Sequence, residues 1–367
     1  MKYSLILIGE ALLGDGAMLE YIGRHFGASG IRPERTLKYR RAEQFFADVA
    51  RTSGTEAIFV LCEPEQAALI AREIATFTGD SIAMRDDRLL PSRALALTTE
   101  YYKIVETQLQ FHVMNVESGC ALPEPDLPER GREARTAHLF DVKKSALLPV
   151  LRQLAEAYRI TFTLAEPIPG WLQCRMECER FGDLEGALQQ LVSQFPTGIM
   201  AENIALWLIE SLERSGKTVT FAESCTGGLL SYYLTKESGA SNVFEGALVT
   251  YSNRLKSAWI AVENDTLAAH GAVSREVVEE MSGGALDVSG ADYAIAVSGI
   301  AGPTGGTPEK PVGTVHVAVR SKEALRTARL QLNGDRNYIQ EQTVLHAVKM
   351  LLMLDKKTFF KILQDFS

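Results

Sequence analysis

Apolar and polar positions alternate along the chain in short blocks whose period changes. Tyr3 to Ile8 is an apolar run ending at Gly9, which predicts a first strand, and Ala17 to Phe26 follows as a helix. Ala42 to Arg51 reads as helix and Ala57 to Leu61 as a second strand. Pro64 suits the first turn of a helix whose apolar positions, Ala67, Ile70, Ile74 and Phe77, keep helical spacing. This βαβα order predicts a parallel sheet with helices on its faces. Pro123, Pro125 and Pro128 interrupt the pattern over Leu122 to Ala134, which reads as a linker or long loop. An αββα set follows, with helices at Ser145 to Ala157 and Leu184 to Val192 around strands at Arg159 to Leu164 and Leu172 to Cys178. Ile204, Leu208 and Leu212 mark a helix face that Gly216 stops. Beyond it, strands are predicted at Val219 to Ala222, Ala247 to Thr250, Tyr293 to Val297, Thr314 to Val319 and Arg326 to Leu332. Ser274 caps a helix running through Met281, and Tyr338 to Leu354 is a long closing helix.

Composition narrows the function classes. The 367 residues are 46% hydrophobic and 23% charged, as expected of two or three globular domains. No apolar stretch approaches the ~20 residues of a membrane helix, and the N-terminus reads as a strand rather than a signal peptide. A net charge of -8 argues against a broad nucleic-acid surface. It leaves room for a local anion pocket. Five scattered cysteines (Cys62, Cys120, Cys174, Cys178 and Cys225) make no disulfide framework, and Cys174 with Cys178 lacks the second pair a zinc site needs. The expected setting is a reducing cytoplasm. The six histidines do not cluster, and no Ser-His-Asp set or metal-spaced run emerges.

Three loops beside predicted strands carry candidate chemistry. In Ala222-Glu223-Ser224-Cys225-Thr226-Gly227-Gly228 a strand turns into a helix, whose first N–H groups can bind an anion; a plain turn with Ser224 or Thr226 as N-cap is the other reading. Ser298 to Gly306 is rich in glycine, but it is neither a Walker loop nor a dinucleotide fingerprint. In the third, the strand Ala247 to Thr250 separates Ser241 from Tyr251 and Lys256. A serine beside a lysine acts without histidine when burial makes the lysine a base. A surface Lys256 and a core Tyr251 fit the same spacing.

These loops together resemble the C-terminal domain of the CinA family, which includes the nicotinamide mononucleotide deamidases. The matching stretches are Ala222 to Gly228, Val249 to Asn253 with Lys256, Ser298 to Pro303 with Gly305-Gly306, Lys310 to Val315, and Gly334-Asp335-Arg336. The resemblance implies hydrolysis of the nucleotide's carboxamide to nicotinate mononucleotide and ammonia, without a cofactor. It places a catalytic serine, tyrosine and lysine on Ser241, Tyr251 and Lys256, with Ser224 a second candidate nucleophile. Ser224, Thr226 and Arg336 are the candidates for the substrate's phosphate and ribose. Gly227, Gly228, Asn253, Gly299, Ala301 and Gly302 complete the expected substrate site. A homodimer is implied, and neither a nucleic-acid nor a membrane partner is expected.

The first segment is similar to the family's molybdopterin-binding-like α/β/α domain, with departures. Glu10-Ala11 stands where the family has Asp-Glu, and Leu61-Cys62-Glu63-Pro64 replaces a glycine-rich loop and an acidic pair. That family domain is a metal-dependent ADP-ribose pyrophosphatase, and a divalent metal needs carboxylates. Catalytic degeneracy is therefore expected, and a divalent metal only if that activity persists. The αββα unit takes the place of a KH-like domain. The expectation is an α/β protein of three parts, 1–134, 135–197 and 198–367. The alternatives are residual pyrophosphatase activity, or a nucleotide-binding, competence-related protein without turnover.

Overall fold

A computed structural model describes residues 2–44, 56–106, 109–117, 119–126, 133–178 and 182–360. Its contacts divide the chain into two compact units, Met1–Gly131 and Arg132–Ser367, where the sequence reading drew three segments.

The first unit runs β1 (Lys2–Ile8), α1 (Glu10–Gly14), α2 (Gly16–Ala28), β2 (Arg35–Tyr39), β3 (Glu56–Cys62), α3 (Pro64–Thr78), β4 (Ile82–Arg85), β5 (Arg88–Pro91), β6 (Leu95–Ala96), β7 (Tyr101–Val105) and β8 (Leu109–Asn115). Its six-stranded sheet has the order β2-β1-β3-β8-β7-β6, parallel from β2 to β8. Pro64 opens α3 and Gly79, in the left-handed region, closes it. Strands β2, β7 and β8 are not anticipated by the hydropathy pattern. β8 carries His112 between Phe111 and Val113, buried, stacked on Phe59 and bonded to the Tyr101 hydroxyl. The Ala42 to Arg51 helix falls mostly outside the described residues; Ala42–Gln44 is a 3-10 turn. The proline-rich stretch is anchored at its start, since Leu122 is buried and its N–H donates to the Tyr21 hydroxyl.

The second unit opens with β9 (Glu133–Phe140), α4 (Lys144–Tyr158), β10 (Ile160–Ile168), β11 (Trp171–Cys178), α5 (Leu184–Gln194) and β12 (Gly198–Met200). These make a four-stranded sheet, β10-β11-β9-β12, with two helices packed on one face. There follow α6 (Ile204–Ser215), β13 (Val219–Glu223), α7 (Leu229–Thr235), β14 (Phe244–Val249), α8 (Asn253–Ile260), α9 (Asn264–His270), α10 (Arg275–Ser289), β15 (Tyr293–Gly299), β16 (Thr314–Ser321), β17 (Leu325–Gln331), α11 (Arg336–Leu354) and α12 (Lys356–Phe359). The five-stranded sheet has the order β14-β13-β15-β16-β17. β14, β13 and β15 are parallel; β16 and β17 return antiparallel. One face packs on α6, α7 and α11, with Phe140, Ile168 and Trp171 from the smaller sheet joining that core. The other face packs on α10 through Val277, Val278, Met281 and Ala285. The fold is mixed α/β throughout. Among the described residues no helix is long and apolar enough to cross a membrane.

The order of the larger sheet positions the site. From β13 the chain moves to β14 on one side and then to β15 on the other. Such a reversal opens a crevice outside the carboxyl ends of the strands. The loops after β13, β14, β15 and β17 all leave from that edge, as the register pairs Glu223 with Val249 and with Val297, and Thr314 with Gln331.

Candidate active site

A cavity of about 270 Å³ lies at this edge, lined among others by Ser224, Cys225, Tyr251, Lys256, Ser298 to Gly302 and Arg336. Lys256 sits on the first turns of α8, which Ser252 caps through the Leu255 N–H. Its side chain is only 1% exposed. Nζ donates to Ser224 Oγ at 2.9 Å and to the Thr250 carbonyl at 2.6 Å. Burial pushes the amine's pKa down from 10.5 to about 8. About a tenth of the amine is then free at pH 7, against roughly one part in three thousand for an unperturbed lysine.

Ser224 is therefore the serine beside the lysine. Ser241 lies exposed in the 3-10 turn Ala240–Asn242, before the start of β14, and does not line the cavity. Tyr251 and Lys256 follow the other end of that strand. Six residues at about 3.3 Å each set ~20 Å between the two ends. The closeness of Ser241 and Lys256 in sequence is undone by the strand that separates them.

The helix start after Ser224 is also occupied differently from expectation. Glu223, fully buried, turns its carboxylate onto the first turn of α7. It accepts from the N–H groups of Gly228, Leu230 and Ser231, at 2.9, 3.1 and 2.9 Å, and from the hydroxyls of Thr226 and Ser231. Thr226 and Gly228 are thus committed to an internal anion, and neither they nor Gly227 line the cavity. Asn253 is exposed on the first turn of α8 and does not line it either. Gly299, Ala301, Gly302 and Arg336 do.

Arg336 reaches the mouth from the first residue of α11. Nη1 donates to the Gly302 carbonyl at 2.8 Å and Nη2 to the Tyr251 hydroxyl at 2.9 Å. The Gly334-Asp335-Arg336 motif explains itself here. Gly334 takes φ +126°, with Tyr338 against the place a Cβ would fill; Asp335 caps the helix through the Tyr338 N–H; Arg336 is then aimed inward. Two contributors were missed in the sequence. Gln340, one turn beyond Arg336, donates to the Cys225 carbonyl at 2.6 Å. Glu223 holds the turn that carries Ser224. The i,i+4 spacing of Gln340 from Arg336, and an acid at a strand end ahead of a helix, were the available signals. Cys225 lines the cavity, but burial raises its thiol to about 12, so it is no thiolate nucleophile.

A larger cavity, about 550 Å³, lies between α8, α9, α10 and β16, with Glu263, Glu276, Glu280, Asp287 and Arg320 in its lining. Glu280 is taken by the Glu263 N–H and the Thr266 hydroxyl. In the first unit Glu63, directly after β3, accepts the Leu12 N–H through its carboxylate at 2.6 Å. Among the described residues no group of three or more His, Cys, Asp or Glu is placed to hold a metal ion.

Residues 201–354 match the family model described as CinA C-terminal domain. A CinA-like protein of Myxococcus xanthus is 43% identical over 169 residues, 46% of this chain and 40% of that protein. A CinA-like protein of Thermotoga maritima is 46% identical over 154 residues, 42% of this chain and 38% of that protein. The crystal structure of competence/damage inducible protein CihA from Agrobacterium tumefaciens is 40% identical, with 41% of this chain and 92% of that chain covered and a TM-score of 0.41. The matched stretch thus spans about two fifths of these curated relatives. The family model covers all five motif loops of the larger sheet; with 92% of the CihA chain covered at 40% identity, the chain belongs to the CinA family.

Proposed function

We propose that the second unit is an amidohydrolase that converts nicotinamide mononucleotide to nicotinate mononucleotide and ammonia, with Ser224 as nucleophile and Lys256 as base. The observation that carries this reading is the buried Lys256 amine, 2.9 Å from Ser224 Oγ in a cavity open to solvent. A neutral amine has one lone pair. The Thr250 carbonyl takes one of its N–H bonds and leaves that lone pair for the Ser224 proton.

In this reading Ser224 Oγ attacks the carboxamide carbon as Lys256 accepts the hydroxyl proton. The oxyanion is held by backbone N–H groups of the Gly299 to Gly302 wall. Lys256 returns the proton to the leaving nitrogen; the C–N bond breaks, ammonia departs and an acyl-serine remains. Water, deprotonated by Lys256, hydrolyses the ester and restores Ser224. Arg336 takes the substrate phosphate, because a guanidinium offers paired donors to a dianion.

The test is ammonia release from nicotinamide mononucleotide by the purified chain. Ser224→Ala and Lys256→Ala each remove it, whereas Ser241→Ala leaves it intact. Full activity in both of the first two variants sinks the assignment.

A further inference from the structure

In the same cavity the tyrosine is not with the pair it would assist. The Tyr251 hydroxyl accepts from Arg336 Nη2, and Lys256 Nζ meets Ser224 and the Thr250 carbonyl instead. Arg336 also holds the Gly302 carbonyl, so one guanidinium bridges the loops that follow β14 and β15. Tyr251 is 60% exposed, while Ser224 and Lys256 are buried. All four side chains line one cavity.

A neutral phenol is a weak partner for a guanidinium. A phosphate dianion adds opposite charge and a second, parallel bond that a phenol does not offer. The two ligands compete for the same Nη2 edge. Resting on the amidohydrolase reading, we propose that Arg336 is a positioning residue that links recognition of the substrate's phosphate to Tyr251. The dianion takes the guanidinium, and the released phenol turns onto Ser224 and Lys256. There it completes the return path, giving its own proton to the leaving nitrogen as it accepts one from the Lys256 ammonium, with no net change at the phenol. The anion has differential affinity for the two arrangements because only the turned one frees Nη2, which is what a population shift requires. The substrate's phosphate then acts in turnover as well as in binding.

The experiment cuts the substrate in two. Nicotinamide riboside carries the amide without the phosphate, and inorganic phosphite supplies the dianion separately. With the native protein, phosphite is expected to raise ammonia release from the riboside at least tenfold and saturably. Tyr251→Phe, an exposed and conservative change, loses that stimulation, as does Arg336→Met. On the intact mononucleotide both variants lower kcat, and Arg336→Met also raises KM. A merely structural Arg336 would give no phosphite response to lose. Turnover of the mononucleotide alongside a riboside rate indifferent to phosphite overturns the switch alone. No ammonia from the mononucleotide overturns the amidohydrolase reading, and the switch with it.

Discussion

Lys256 Nζ lies 2.9 Å from Ser224 Oγ although 32 residues separate them. The pairing of β13 with β14 creates that meeting. Parallel register sets Glu223 beside Val249, so the residues that follow each strand, Ser224 and Thr250, leave the sheet at one edge. Ser252 then starts α8 and aims Lys256 back over the carbonyl of Thr250. An amine from one loop and a hydroxyl from another are thus brought into hydrogen-bond contact.

The first prediction is the pH profile. Lys256 must be neutral to accept the serine proton, and its pKa sits at about 8 because burial disfavours the ammonium. The kcat/KM for ammonia release should rise tenfold per pH unit below that value and level off above it. A profile flat from pH 6 to 9 would remove Lys256 from the role of base. Lys256→Ala should lower the rate by about 10²–10⁴-fold, the usual worth of a positioned base.

The second concerns stability. The unfolded lysine titrates near 10.5 and the folded one near 8, so between these values the unfolded state binds the extra proton. Stability therefore rises with pH across that window, and below it the full burial penalty is present. Lys256→Met removes the penalty and keeps the stem's volume. At pH 7 it should stabilise the protein by about 2 kcal/mol, several degrees in Tm, while abolishing activity. Thermal melts at pH 7 and pH 10 check this, since the gain should shrink at the higher pH.

How much of this was legible depends on which residues carry information locally. The strands of the larger sheet show in the sequence because their apolar runs are bounded by glycine and polar clusters, and the family motifs all lie in the loops between them. The pairing of strands does not show. Ser241 and Lys256 are 15 residues apart, yet β14 carries the chain across the sheet between them, and only register brings Ser224 to Lys256. The helix start at Gly228 reads in the sequence as an anion site, and in the structure its N–H groups are taken by Glu223, one residue before Ser224. A buried carboxylate serving its own chain and a substrate phosphate make the same demand on the backbone, so sequence alone does not separate them.

Glu223 gives the third prediction. Its two oxygens accept five hydrogen bonds with no exposure to water. Glu223→Gln turns one acceptor into a donor facing the Ser231 N–H and hydroxyl. Buried bonds to a charged group cost about 2–3 kcal/mol when broken. The denaturation midpoint should fall accordingly. The rate should fall as well, because the turn that holds Ser224 is loosened. An unchanged midpoint would show that α7 does not depend on this cap.

The fourth concerns the first unit. Glu63 follows β3 directly and its carboxylate accepts the Leu12 N–H of α1, and Glu10-Ala11 stands in place of an acidic pair that could hold a cation. With Mg²⁺ or Mn²⁺ supplied, ADP-ribose should yield no AMP above the blank. Metal-dependent AMP release that survives purification to homogeneity would restore the pyrophosphatase alternative.

The last tests the support behind Lys256. Gly283 and Gly284 lie in the middle of α10, where glycine costs about 1 kcal/mol relative to alanine. A Cβ on Gly283 would meet only Arg320, at 3.9 Å, an ordinary contact. A Cβ on Gly284 would lie 1.9 Å from the Ile260 carbonyl oxygen, at the end of α8. Backbone cannot step aside as a flexible side chain can. Gly283→Ala should therefore stabilise by about 0.5–1 kcal/mol. Its neighbour Gly284→Ala should destabilise by about 2–3 kcal/mol, since overpacking forces the backbone to shift. Because α8 also carries Lys256, the second change should lower kcat at temperatures where the protein is still folded, whereas the first leaves it alone. Equal melting shifts for the two alanines would mean that α8 and α10 do not meet at Gly284, and that Lys256 is held in place by its own loop instead.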